Sequence, residues 1–147
     1  MKNTRIAVAS TVEEVRRCYP VMHELRTHLA DEREFVERVT RQQRNGYQLA
    51  FLESDGEIRA VAGYRILDSL FSGKNLYVDD LVTRDADRSC GYGGQLLDWL
   101  AAEARKNECE TLELDSGVQR FDAHRFYFSK RMTISSYHFR IKLEPKV

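Results

Sequence analysis

From Leu76 to Leu100 the chain reads LYVDDLVTRDADRSCGYGGQLLDWL, and its chemistry-bearing residues fall into two groups. The first is an acidic pair, Asp79 and Asp80, set inside an apolar run that otherwise suits a strand. A carboxylate on a partly buried strand is costly unless it is paired or hydrogen-bonded, and desolvation raises its pKa towards that of a useful base. The second is a basic, glycine-rich turn, Arg88-Ser89-Cys90-Gly91-Tyr92-Gly93-Gly94, that opens an amphipathic run. A helix start exposes N–H groups without intrahelical partners and carries positive potential, so phosphates bind there. Glycines allow a tight turn and let phosphate oxygens approach the backbone, while Arg88 adds a bidentate donor. The two groups together suit a proton acceptor beside a diphosphate site.

Two better-known phosphate motifs do not fit. The chain has no Gly-Lys-Ser/Thr, which a nucleotide-hydrolysing P-loop requires. A polar loop, RDADRS, separates the strand from the glycines, so the immediate strand-to-glycine turn of a dinucleotide fold is absent as well.

The elements that must position these residues can be read from periodicity. TRIAVAS reads as a first strand, and Thr11 with Glu14 forms a capping box for a helix whose apolar face is Val12, Val15, Tyr19, Met22, Leu25 and Leu29. Pro20 lies within that pattern and is expected to break or kink it. Asp31 with Glu34 caps a second helix carrying Phe35, Val36 and Val39, and Arg44-Asn45-Gly46 is a stop. YQLAFLE and IRAVAGYRIL flank a turn, SDGE, and form a hairpin. After a polar loop comes the strand NLYVDDLVT. Its alternation puts Tyr77, Asp79, Leu81 and Thr83 on one face and Val78, Asp80 and Val82 on the other. A helix from about Gly93 to Lys106 follows, with Leu96, Leu97, Leu100, Ala101 and Ala104 on one side. Then come a strand (TLELD), a helix near Asp122 to Lys130 with Ala123, Phe126 and Tyr127 on one face, and a closing strand, TISSYHFRIKLE. The strand–helix–strand unit implies a parallel pair and the hairpin an antiparallel one. An α/β protein with a mixed sheet and helices on both faces follows.

Composition agrees. The 147 residues are 42% hydrophobic and 31% charged with two prolines, which fits one soluble globular domain spanning 1–147. Lys plus Arg equals Asp plus Glu, 23 each, which argues against a nucleic-acid partner. Cys18, Cys90 and Cys109 are odd in number and irregularly spaced, suiting neither a disulfide framework nor a metal site. Glu13 and Glu14 cut short the only apolar run near the start, and no segment approaches the length of a membrane span, so a cytoplasmic protein with no membrane partner is expected.

The glycine turn also resembles a known signature. Arg88, Ser89, Cys90, Gly91, Tyr92 and Gly93 match the Arg/Gln-x-x-Gly-x-Gly/Ala pattern with which the GCN5-related N-acetyltransferases (GNAT) hold acetyl-coenzyme A. AHRFYFSKRM is similar to the family's Ala-x-x-x-Tyr-x-x-x-Gly-Phe segment, and the order of elements matches from residue 5 to 143. There are departures. Arg84 and Asp85 stand in the region where a proline is frequent, Ser89 replaces a frequent glycine, and Arg131-Met132 replaces Gly-Phe. Arg120 lies where an asparagine is common.

The resemblance implies that acetyl-coenzyme A, as co-substrate, lies between splayed fourth and fifth strands. The backbone of Leu81, Val82 and Thr83 would pair with its pantetheine arm. Arg88 and the amides of Ser89, Cys90, Gly91, Tyr92, Gly93 and Gly94 would hold the diphosphate, and the Val82 amide would polarise the thioester carbonyl. LYVDDLV resembles a segment of the family's diamine acetyltransferases that puts the base on Asp79, with Asp80 the second choice. Tyr127 aligns with the family's general acid, and an unperturbed phenol is protonated at neutral pH. His124 and His138 are weaker candidates for a base, and Cys90 is incidental because direct transfer needs no thiol. His23, Glu24 and His28 fall in the helical region that walls the acceptor site.

The function expected is acetyl transfer to a primary amine by direct attack in a ternary complex, with a small cationic amine as acceptor. A non-catalytic acyl-coenzyme A sensor, an acetyltransferase of protein or peptide amines, and a nucleotide-phosphate enzyme stand as alternatives. Pairing through the C-terminal strands would give a homodimer.

Overall fold

A computed structural model describes residues 3–145. In chain order the elements are β1 (Thr4–Val8), α1 (Val12–Leu25), α2 (Glu32–Gln43), β2 (Gln48–Ser54), β3 (Glu57–Ser69), β4 (Gly73–Thr83), a 3-10 turn (Asp85–Asp87), α3 (Tyr92–Lys106), β5 (Thr111–Leu114) and α4 (Phe121–Ser129). They divide into two compact units, one ending at Leu114 and one beginning at Asp115.

The first unit is a five-stranded sheet in the order β1-β2-β3-β4-β5. The first three pairings are antiparallel, and β4 pairs with β5 in parallel across the α3 crossover. The fold class is therefore the mixed α/β sheet that the periodicities imply. Asp55 and Gly56 take positive φ (54° and 80°), the conformation that lets a two-residue turn match the twist of β2 and β3. The β3–β4 hairpin is longer than alternation suggests. Pairing continues to Ser69 opposite Gly73, leaving Leu70 and Phe71 exposed at its tip.

Helix starts follow local chemistry. The Thr11 hydroxyl accepts from the Glu14 amide at 3.1 Å, and the Glu14 carboxylate accepts from the Thr11 amide at 3.2 Å. Asp31 accepts from the Glu34 amide at 2.8 Å and starts α2. Pro20 does not break α1, contrary to expectation. A mid-helix proline costs about 3 kcal/mol, but Val15 and Cys18 before it and Val21 and Met22 after it are all buried. Each buried side chain of that size returns roughly 1.5–3 kcal/mol, so the buried stripe outweighs the lost bond.

Alternation along the strands sorts the core into two layers. Val15, Cys18, Phe35, Val39, Phe51 and Val61 form a cluster between α1, α2 and one face of the sheet. On the other face Tyr64 meets Trp99 of α3 edge-on at 6.0 Å, and Leu96 and Leu100 are fully buried.

In the second unit, α4 half-covers Ala123, Phe126 and Tyr127, the face expected for them, and the Phe126 and Tyr127 rings meet at 5.5 Å. The expected closing strand is not formed: residues 133–145 have no regular secondary structure. The apolar–polar alternation is real, with Tyr137, Phe139, Ile141 and Leu143 exposed. A strand exists only where a neighbour satisfies its backbone, and no ladder to this segment is made among the described residues.

Candidate active site

β4 departs from regular pairing where its aspartates lie. Gly63 pairs with Asp80, but Tyr64 pairs with Val78, so Asp79 is an extra residue, a β-bulge. This corrects the face assignment made from strict alternation. The bulge resets the period, and Tyr77, Asp79 and Asp80 all line one cleft against α1 and α2. The cleft has a volume of about 450 Å³, and Arg26, His28, Arg38, Gln42 and Tyr47 contribute to its wall.

The two carboxylates are held differently. Asp80 is clamped from both sides: Arg26 Nε donates to Oδ1 at 2.8 Å and the Tyr47 hydroxyl donates to Oδ2 at 2.8 Å. Arg26 also donates from Nη2 to the Asp79 carbonyl at 2.8 Å, tying the end of α1 to the bulge. Burial, followed by the charge of Asp80, pushes the Tyr47 phenol well above its ordinary pKa, so it remains a donor. Asp79 accepts one bond, from Arg65 Nε to Oδ2 at 2.8 Å, while Arg65 Nη2 donates to Gln42 Oε1 at 2.9 Å. Desolvation raises the Asp79 pKa above the usual carboxylate value in spite of the guanidinium. A half-buried carboxylate with one oxygen uncommitted is chemically a base.

Gly63 makes this packing possible. A Cβ there would sit 1.9 Å from the Tyr47 hydroxyl oxygen and 2.5 Å from Asp80 Oδ2. Only a residue without a side chain fits beneath the Tyr47–Asp80 bond.

Beyond the bulge the sheet opens. The β4–β5 ladder runs from Asn75 opposite Thr111 to Val78 opposite Leu114 and ends there. Leu81, Val82 and Thr83 continue β4, paired only with β3. The following loop is fastened by Asp87, a buried residue that receives Arg84 Nε at 2.6 Å and Arg59 Nη1 at 3.1 Å. The Arg84 bond is the chief reason its pKa lies below the usual value. Ser89 and Gly91 take positive φ (67° and 84°). That explains why a glycine would be suited to the Ser89 position. Gly91 is the N-cap of α3 and no side chain caps it. Arg88 is exposed and pairs with Asp85 at 2.8 Å, and Cys90 is exposed. The helix begins at Tyr92, one residue before the expected Gly93, so Tyr92, Gly93 and Gly94 form its first turn. An open strand edge and an uncapped, glycine-lined helix start suit a ligand with an amide-bearing arm and a diphosphate.

Tyr127 lies in the second unit, on α4, where burial raises its phenol above the ordinary pKa. Arg120 is the N-cap residue of that helix. His124 Nε2 is 2.8 Å from the Gly117 carbonyl, and His138 pairs with Asp115 at 3.1 Å. Sequence reasoning missed Arg26, Gln42, Tyr47, Gly63, Arg65 and Asp87. The one available signal was the isolated glycine within the strand pattern AVAGYRI, a hint of a bulge or close approach.

The family model of the acetyltransferase (GNAT) family matches residues 8–132. The chain belongs to that family. An uncharacterized N-acetyltransferase of Bacillus subtilis (strain 168), YhdJ, is 43% identical over 130 residues, covering 87% of this chain and 91% of its own. The aminoalkylphosphonate N-acetyltransferase of Salmonella typhimurium is 37% identical over 62 residues, 42% of this chain and 40% of its own. Among solved structures, AAC(6')-Iy in complex with a coenzyme A bisubstrate analog superposes with a TM-score of 0.79 at 11% identity, covering 97% of this chain and 99% of the other. This GNAT chain is thus an N-acetyltransferase. No helix among its described residues is long and apolar enough to cross a membrane.

Proposed function

We propose that the protein moves an acetyl group from acetyl-coenzyme A to a small primary amine by direct attack. The observation that carries this reading is Asp79: a desolvated carboxylate with one free oxygen, at the wall of the cleft and on the strand whose edge opens beside it. The cleft volume, about 450 Å³, supports a small acceptor over a protein surface. The Salmonella relative's name, an aminoalkylphosphonate N-acetyltransferase, supports a small-molecule acceptor too.

In this mechanism Asp79 takes a proton from the acceptor ammonium, directly or through a water. The free amine then forms its bond to the thioester carbonyl carbon as the carbon–sulfur bond breaks. An amide on the open edge of β4, that of Leu81 or Thr83, donates to the carbonyl oxygen while charge develops there, because the Arg84–Arg59 bond sets a register that turns the Val82 amide to Val61. Tyr127 is the proposed acid that gives its proton to the departing sulfur, and its raised pKa keeps it protonated at neutral pH. The nitrogen sheds its second proton on becoming an amide, and that proton, passed through solvent, restores the phenol. The backbone of Leu81 and Thr83 holds the pantetheine arm. Arg88 and the Ser89–Gly94 amides hold the diphosphate. Asp80 keeps a positioning role because both its oxygens are already engaged. The free cysteines fit a cytoplasmic setting, and the exposed alternation of Tyr137, Phe139, Ile141 and Leu143 fits a homodimer contact.

Two measurements test the reading. Calorimetric titration with acetyl-coenzyme A, beside ATP as control, should give saturable binding of the thioester alone. Thiol release in the presence of small amines should follow, with Asp79→Asn strongly impaired. Binding without turnover on any amine would favour the acyl-coenzyme A sensor, and no binding would sink both.

A further inference from the structure

The free hydrogen-bonding groups of the cleft are unequally divided. Its acceptors are nearly used up: Asp80 receives Arg26 on one oxygen and Tyr47 on the other, and Asp79 receives Arg65 on Oδ2. One carboxylate oxygen, Asp79 Oδ1, is left for an incoming ammonium. Donors, in contrast, are in surplus. Gln42 turns its carbonyl oxygen to Arg65, which leaves its amide NH₂ to donate. Arg38 spends one guanidinium nitrogen on Glu34 at 3.0 Å and has others to offer. His28, on the cleft lining, makes no hydrogen bond or ion pair among the described residues, and either of its tautomers supplies one N–H. Each aspartate is already matched by an arginine, so the described lining offers a second cationic centre no further carboxylate.

Such a wall fits a ligand that is positive at one end and negative at the other. We infer that the acceptor is a small amine that also carries an anionic group, carboxylate, phosphonate or phosphate, with its ammonium at Asp79 and its anion on Arg38, Gln42 and His28. This rests on the transferase reading above and narrows the acceptor expected from sequence, a cationic amine, to one with no net positive charge. A guanidinium–anion contact is charge-assisted and can be bidentate, so it discriminates by about tenfold to a hundredfold.

The test uses the full chain, saturating acetyl-coenzyme A and four amines of matched length: 3-aminopropylphosphonate, β-alanine, propylamine and 1,3-diaminopropane. Thiol release should give kcat/KM at least tenfold higher for the better of the two anionic amines than for propylamine, and 1,3-diaminopropane should be poorest. In Arg38→Glu the ratio of anionic to plain amine should fall at least tenfold, mainly through KM. A ratio within one preparation is insensitive to partial unfolding. Thiol release that is as fast or faster with propylamine or 1,3-diaminopropane overturns the inference and leaves the transferase reading standing. An unmoved ratio in Arg38→Glu overturns the assignment of the anion. No thiol release with any of the four, by protein that binds acetyl-coenzyme A, counts against both readings.

Discussion

Asp79 and Asp87 are both shielded aspartates bonded to arginine, one on a strand bulge and one in the loop that follows, yet their protonation is pushed in opposite directions. Asp87 receives two guanidiniums, and the Arg84 bond prevails over burial. Asp79 receives one, shares it with Gln42, and lies next to the like charge of Asp80, so burial prevails. The lesson is that the balance between desolvation and committed donors decides whether a shielded carboxylate is held ionised or pushed towards a base. The loop is fastened by a carboxylate held ionised, and the proposed reaction calls for a group in the cleft that can exchange a proton.

The largest test of that contrast is the pair of amide substitutions. Asp79→Asn should lower kcat by roughly 10²–10⁴-fold, the usual reach of general-base catalysis, with a melting temperature close to that of the parent. Asp87→Asn should do the reverse: a loss of about 2–3 kcal/mol in denaturant unfolding, below the full cost of breaking a buried pair because Arg84 is partly solvated, with kcat far less affected. Equal losses of activity and stability in both variants would erase the distinction. The pH dependence of stability sharpens it. Asp87 has a depressed folded pKa, so its contribution is complete above the ordinary value of 3.8 and fades as pH falls below it. Asp79 has a raised folded pKa, so its ionisation penalty is relieved as pH falls towards 3.8 from above. Unfolding curves of the two variants across acid pH should therefore depart from the parent with opposite sign.

The same contrast explains what could be read in the sequence. The capping box of α1, the Asp31 cap of α2, the Asp55-Gly56 turn and the glycine turn before α3 are set by residues a few positions apart, so their chemistry is visible locally. The bulge is not, because it is a property of β3 and β4 together and depends on Gly63 opposite Asp80. The partners of the aspartates come from the C-cap of α1, from α2, from β3 and from the segment before β2, and no spacing rule links Arg26, Gln42, Tyr47 and Arg65. The alternation of residues 137–143 is legible, but a pattern fixes the faces of a strand and cannot supply its neighbour.

Gly63→Ala is the next smaller effect. The added methyl would meet the Tyr47 hydroxyl and Asp80, so one of the two must move. Overpacking of this kind costs about 1–3 kcal/mol. If Asp80 acts as a strut and Asp79 as the base, KM for the amine should rise more than kcat falls, because the wall shifts and the base keeps its bond to Arg65. A fall in kcat as large as that of Asp79→Asn would instead assign the base to Asp80.

The smallest effect on the fold belongs to Arg88. Its bond to Asp85 joins two side chains that are 68% and 71% exposed, and such surface pairs contribute little to stability. Arg88→Gln should leave the unfolding curve where it is while weakening acetyl-coenzyme A binding several-fold in low salt. In the proposed site the backbone amides at the start of α3 would continue to hold the diphosphate, so binding should not vanish. Raising the ionic strength should shrink the gap between parent and variant, since an exposed guanidinium acts through a screened field and the amides act by direct contact. If the variant bound as tightly as the parent at every salt concentration, the turn would work through its backbone alone.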